Sequence, residues 1–222
     1  MPSTASFVGS LSSPTVTSAR RPPSPARVVV LASGAGTLLQ ALLDAQGRAP
    51  LTVAALVCDR AGAPALERAA AAGVATSVLA PADAPDRAAW DARLAAALVA
   101  LEPDLVVCAG FMRVLGPAVL QALGGRIVNT HPSLLPAFPG GRAVRDALEH
   151  GVRVTGCTAH LVDDGVDTGP VLAQRAVEVL DGDDEAALHE RIKVAERRML
   201  VDVLTLMVRS GWTVTGRKVT FG

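Results

Sequence analysis

Tyrosine is absent from this 222-residue sequence, and all aromatics together make up only 3% of it. Half of the residues are hydrophobic, so the core must be filled by Ala, Val and Leu rather than by stacked rings. Cysteine is scarce as well. Cys58, Cys108 and Cys157 are odd in number, form no C-x-x-C pair and lie in apolar runs, which reads as reduced core thiols of a cytoplasmic protein. Net charge is missing, because 21 basic and 21 acidic residues balance; a strongly basic surface for nucleic acid is therefore not expected. No apolar run reaches the ~18 residues that a membrane span requires. Residues 1–25 contain no acidic side chain and are rich in Ser, Pro and Thr. A signal peptide would put its basic residues first, whereas Arg20 and Arg21 come last. An organelle transit peptide shares this composition; a disordered leader is the expectation.

What is present is an alternation of short β-branched runs and helical patterns from Arg27 onward, long enough for one domain over 26–222 that buries roughly 70% of its unfolded surface. Strands are expected over 27–32, 51–57, 74–79, 104–110 and 126–129, with helices over 37–46, 65–73, 86–102, 115–123 and 143–150 between and after them. Two longer strands (152–162 and 170–179), a helix over 184–208 and a hairpin turning at Gly216-Arg217 follow. Nearly continuous apolar strands alternating with helices specify an α/β fold, Rossmann-like, with a mostly parallel central sheet covered on both faces. In such sheets ligands bind at the carboxyl ends of the strands. There the rule places the loop 33–37, the segment 109–113 and the residues Asn129 to His131.

The run SGAGT (33–37) follows a strand and opens a helix, so its backbone N–H groups and the helix N-terminus can hold a phosphate. No Lys follows Gly36, and Leu39 occupies the place of a third dinucleotide-binding glycine, so one phosphate suits the loop better than two. An ordinary tight turn has the same composition. In IVNTHPSLLP (127–136), Asn129 and His131 are two apart on a strand and project to one side. An amide can donate to a developing oxyanion, and an imidazole can move a proton near neutral pH. Pro132 and Pro136 stiffen the exit. DDGVDTGPV (163–171) offers Asp163, Asp164 and Asp167 as a carboxylate partner, with Gly165 and Gly169 to bend the loop back. Singly, these read as a strand-end histidine and a solvated turn; the combination of N-x-H-P with a D-x-G-P loop about forty residues later weakens that reading.

SGAGTLLQ, AGFMRVLGP, NTHPSLLPAFPG and DDGVDTGPVLAQ, in this order, resemble the phosphoribosylglycinamide formyltransferases, folate-dependent enzymes of purine biosynthesis. The resemblance runs from about Arg27 to the C-terminus. It implies formyl transfer from 10-formyltetrahydrofolate, as co-substrate, to the amine of 5-phosphoribosylglycinamide, with no metal. Asn129, His131 and Asp167 match the catalytic triad: the amide and a protonated imidazole stabilise a tetrahedral oxyanion, and the carboxylate keeps the imidazole charged. Gly36, Thr37 and Leu38 match the phosphate loop, and Lys193 and Glu196 match contacts to the phosphoribose. Arg87, Met112, Arg113, Val114 and Leu115, with Asp163, Asp164, Gly165 and Val166, match the folate pocket. His160 matches a histidine near the site, while His150 and His189 read as surface. The Leu135–Pro136 bond is expected to be cis. Two residues depart from the family pattern: Leu38 stands where Asn is frequent, and Arg142 where a histidine is common.

Other readings are weaker. A methionyl-tRNA formyltransferase adds a C-terminal tRNA-binding domain, and this chain is expected to stop after a short hairpin. A formyltetrahydrofolate deformylase adds an N-terminal regulatory domain that a 25-residue leader cannot supply. A nicotinamide dehydrogenase lacks its third glycine here, and a non-catalytic phosphate-binding module leaves the triad unexplained. Small molecules are the expected partners, without nucleic acid or membrane. A homodimer is compatible with the sequence, in which an interface strip and a core strip look alike.

Overall fold

The computed structural model of the chain describes residues 16–222 and is organised around strand β2 (Ala26–Ala32). Every residue of β2 except Arg27 is buried, because the strand has a packed layer on each face. Its side chains alternate: Val28, Val30 and Ala32 enter one apolar cluster, Val29 and Leu31 the other. On the first face, helix α1 (Thr37–Ala45) supplies Leu38, Leu39, Leu42 and Leu43, whose helical spacing puts all four toward the sheet. Helix α6 (Glu185–Ser210) joins it with Leu188, Ile192, Met199, Leu200 and Leu204. On the second face, α3 (Arg87–Ala100) and α4 (Pro117–Leu123) contribute Trp90, Leu94, Leu98, Val119 and Leu123. Each buried leucine contributes about 1.5–3 kcal/mol, which lets an interior almost without aromatics hold.

From β2 the chain passes through α1 to β3 (Leu51–Cys58), then through α2 (Pro64–Ala71) to β4 (Ala75–Val78), at one edge. It then returns to the opposite side of β2 as β5 (Leu105–Cys108) and β6 (Ile127–His131). These five strands are parallel. The direction of winding reverses between β2 and β5, which opens a crevice at their carboxyl ends. After α5 (Ala143–Glu149), β7 (Val154–Leu161) pairs antiparallel with β6, and β8 (Val171–Glu178) antiparallel with β7. The hairpin β9 (Trp212–Thr215) and β10 (Lys218–Phe221) extends the sheet beyond β8.

The α/β architecture and the element order follow the sequence pattern, with two corrections. Residues 1–15 of the expected leader lie outside the described residues, but Val16–Arg20 is a strand, β1, antiparallel to β9. The hairpin leaves β9 with an unpaired edge of N–H and C=O groups, and this stretch satisfies it. Second, β6 runs to His131 rather than ending at residue 129, so the imidazole is fixed by sheet pairing with Thr158. The cysteines are free and buried as expected, and burial pushes the thiols of Cys58, Cys108 and Cys157 up to about 11, 12 and 12. The Leu135–Pro136 peptide bond is cis.

One buried carboxylate joins the two helices of the second face. Asp91 of α3, 3% exposed, accepts from the N–H groups of Gly116 (2.7 Å) and Ala118 (2.8 Å), capping α4 from outside the helix. It thereby fixes where the segment 112–115 ends. Asp91→Ala leaves two half-buried donors without this partner and is expected to cost about 1–3 kcal/mol in urea unfolding, with Asp91→Asn costing less. A loss below about 0.5 kcal/mol would remove this cap from the account.

Candidate active site

A cavity of about 560 Å³ opens at the crevice, walled by several separate parts of the chain. The first is the loop after β2. Gly36 is the N-cap of α1 with φ 72°, and a Cβ there would stand 2.8 Å from Ala65, so both the left-handed backbone and the close approach call for glycine. The loop is tied down around it. Ala65 N–H donates to Gly34 O (3.1 Å), Arg68 Nε to Ala35 O (2.9 Å), and Met112 N–H to Ser33 Oγ (2.9 Å). The first N–H groups of α1 have no carbonyl one turn earlier and face the cavity end of the helix. Leu38 buries its side chain in the core, so only its backbone is left for a ligand.

The second wall is the end of β6. His160 of β7 donates through Nδ1 to Leu161 O (2.9 Å); a carbonyl only accepts, so the proton lies on Nδ1 and Nε2 accepts. Asn129 Nδ2 donates one N–H to that Nε2 (3.1 Å), and its other N–H has only a long contact, 3.5 Å to Asp167 Oδ1. His131 Nε2 meets Phe138 O at 2.8 Å, which leaves Nδ1 toward Asp167 Oδ2, at 3.3 Å. Both ring nitrogens therefore face acceptors, the arrangement that a doubly protonated ring satisfies.

Asp167 comes from the third wall, the loop between β7 and β8. Gly169 lets that loop fold tightly on β7: a Cβ there would lie 1.7 Å from Leu161 O. Asp167 itself sits at φ 55°, a left-handed conformation that costs a non-glycine residue about 1 kcal/mol. Its Oδ2 also accepts from Gly140 N–H (2.8 Å), and Oδ1 lies 3.5 Å from Asn129 Nδ2. Burial pushes its carboxyl up, but the Gly140 N–H and the charge of His131 pull it down, and the net shift is below the usual carboxylate range. Asp163, Gly165 and Val166 line the same cavity; Asp164 is exposed and does not.

Segment 111–115 and α6 complete the enclosure. Met112, Val114 and Val166 are 67%, 55% and 52% exposed, an apolar rim. Arg113 Nε holds the buried Asp59 at 2.6 Å. Arg87 does not line the cavity: its guanidinium donates to Val114 O and lies 4.6 Å over the Trp90 ring, bracing the segment from behind. Lys193 and Glu196 do line it, with Lys193 Nζ 3.5 Å from Glu190. Burial raises the Glu196 carboxyl, opposed by Thr130, Lys193 and Arg197.

The structure thus brings together all the expected site residues except Arg87 and Asp164. It also adds some. His189, read from sequence as surface, lies in the cavity four residues before Lys193, and burial and Lys193 lower its pKa. The spacing 189, 193, 196 is one helical face, and that signal is visible in the sequence. Arg60 and Gly140 also line the cavity, with no local pattern to announce them. Arg142 turns outward to Asp146 (3.4 Å) and Glu149 (3.3 Å), and His150, exposed as expected, packs edge-on against Phe138. No group of three or more His, Cys, Asp or Glu poised to hold a metal ion occurs among the described residues.

The sequence model of the formyl transferase family matches residues 26–204. A phosphoribosylglycinamide formyltransferase of Mycobacterium tuberculosis is 58% identical over 205 residues, 91% of this chain and 95% of that protein. The Bacillus subtilis protein of the same name is 38% identical over 180 residues, covering 80% of this chain and 92% of its own. The crystal structure of glycinamide ribonucleotide transformylase 1 from Symbiobacterium toebii superposes with a TM-score of 0.86 at 48% identity, covering 88% of this chain and 93% of that one. The chain belongs to the formyl transferase family, in its phosphoribosylglycinamide formyltransferase branch.

Proposed function

We propose that this chain transfers the formyl group of 10-formyltetrahydrofolate to the amine of 5-phosphoribosylglycinamide, a step of purine biosynthesis, in the cytoplasm. The observation that carries the reading is the convergence of Asn129, His131 and Asp167 in one cavity with the phosphate loop at Gly36. Phosphate sits on the N–H groups of Gly36, Thr37 and Leu38, with Lys193 as counter-charge and Glu196 beside the ribose. The folate lies against Met112, Val114, Leu115 and Val166, where an exposed apolar rim suits a flat ring system, and the backbone around Asp163 and Gly165 meets its polar edge. Arg87 acts through Val114, by holding that segment.

The free amine attacks the formyl carbon, and the carbonyl electrons move onto oxygen. The outward N–H of Asn129 donates to this oxyanion, worth about 3–4 kcal/mol of barrier, and the charge of the His131 ring, whose nitrogens are engaged by Asp167 and Phe138 O, stabilises it through space. Asp167 keeps the imidazole doubly protonated. As the tetrahedral centre collapses, the C–N bond to folate breaks, and a proton passes from the attacking amine to the departing nitrogen, through water held by Asp167. The substrates are small molecules; nucleic acid and membrane have no part, and a homodimer is the assembly we expect.

An assay of purified protein with 10-formyltetrahydrofolate and glycinamide ribonucleotide, with tRNA as control acceptor, tests the assignment; transfer to tRNA alone would sink it. His131→Ala and Asp167→Asn are each expected to lower kcat by about 10²–10⁴ while calorimetry still finds folate bound. Wild-type turnover in both removes the triad. Lys193→Ala is expected to raise KM for the ribonucleotide about tenfold with kcat nearly unchanged, and an unaltered KM takes it out of the phosphate site.

Acid stability gives an independent readout. An unfolded aspartate titrates near 3.9, and Asp167 lies lower in the folded chain. Its ionised form therefore stabilises the fold above about pH 4, and that contribution is lost as pH falls through the folded value. Asp167→Asn should flatten this part of the acid limb of the urea midpoint; a limb identical to wild type would contradict the depressed pKa.

A further inference from the structure

A second cavity, of about 630 Å³, lies between α1 and α6 with Arg68 of α2 in its wall, and shares only Thr37 with the active-site lining. Its charge is lopsided. Arg48, Arg68, Arg197 and Arg198 line it against two carboxylates, Asp44 and Asp202. Among the described residues neither carboxylate forms an ion pair with these four arginines. Arg48 is bonded to the main-chain carbonyl of Asp44 (2.6 Å), and Asp202 pairs with Arg175 (3.8 Å), which is not in the cavity lining. Arg68 is spent on Ala35 O and Gln40 Oε1, and Arg197 lies 3.6 Å from Glu190. Arg198 makes no hydrogen bond or ion pair among the described residues. The remaining lining is different in kind. Ala41 of α1 and Ala49, just beyond the helix end, lie with Val201 beside the cations, over the buried Ala45.

A guanidinium cluster with surplus positive charge suits a phosphate, which it can meet with forked hydrogen bonds. A floor of small apolar side chains suits the face of a flat ring, and the volume is that of a small-molecule pocket. We propose that this cavity is a second ligand site, which takes a nucleoside monophosphate: the phosphate on Arg48 and Arg198, the base over the alanines. A free inorganic phosphate offers the same charge without the ring, so the two sources separate by experiment.

The test is calorimetric titration of the full chain with adenosine monophosphate, adenosine and inorganic phosphate. The nucleotide is expected to bind at least tenfold more tightly than either fragment. The exposed pair Arg48→Gln/Arg198→Gln should weaken it about tenfold or more, and Arg48→Lys/Arg198→Lys by less, while Lys193→Ala leaves it unchanged. No heat at millimolar nucleotide, or inorganic phosphate binding as tightly, overturns the proposal. Weakening by Lys193→Ala but not by the arginine pair also overturns it, because the nucleotide then sits in the active cavity. Binding is read directly, so the result does not depend on formyl transfer.

Discussion

The carboxylate of Asp167 is the point on which the site depends. It reaches His131 and the Gly140 N–H from a left-handed backbone, at the tip of a loop that only a glycine at 169 can fold so tightly. The local strain of about 1 kcal/mol is small beside the charge-assisted contacts it permits. Those contacts in turn decide the imidazole: with Phe138 O on the far nitrogen, His131 has an acceptor on each side and one way to lie. The amide of Asn129 is ordered by a different route, through His160 and its bond to Leu161 O. Two histidines thus serve unlike purposes, one meeting acceptors on both sides and one fixed as an acceptor by its neighbour.

The rest of the molecule supplies rigidity to these few atoms. β5, β6 and β7 set the spacing of Asn129, His131 and His160 through ladder register, while the reversal between β2 and β5 leaves the space they face. Segment 111–115, which lines the cavity, is held from behind by Arg87, and ends where Asp91 caps α4. Both residues sit on α3, itself started by Asp86 accepting from Ala89 N–H (2.8 Å). A helix remote from the reacting groups therefore sets the shape of the binding rim.

Much of this is legible in the sequence. The alternation of strands and helices reads directly because each buried strand is an apolar run and each helix has its leucines on one face, as in α1. Asn129 and His131 are legible because a strand's period of two puts them together. What is not legible has a common cause: it depends on partners distant in the chain. Val16–Arg20 is a strand only because β9, some two hundred residues later, has an open edge. Arg87 looks like a ligand-binding cation until Trp90 and Val114 are seen to engage it. Asp91 carries no local sign that two N–H groups of another helix will point at it. His189 is the intermediate case, visible by helical spacing to Lys193 yet indistinguishable from surface charge until α6 is docked.

The order in which these parts occur along the polypeptide has a kinetic meaning. Chains emerge from a ribosome N-terminus first, and domains of this kind complete their packing as the missing strands arrive. The phosphate loop, the amide and the imidazole are all made before residue 132, whereas the carboxylate and α6 come only after β7 has threaded beside β6. The carboxylate that meets His131 is therefore synthesised after both the loop at Gly36 and the imidazole it contacts, and the cavity that joins them closes only with the last third of the chain.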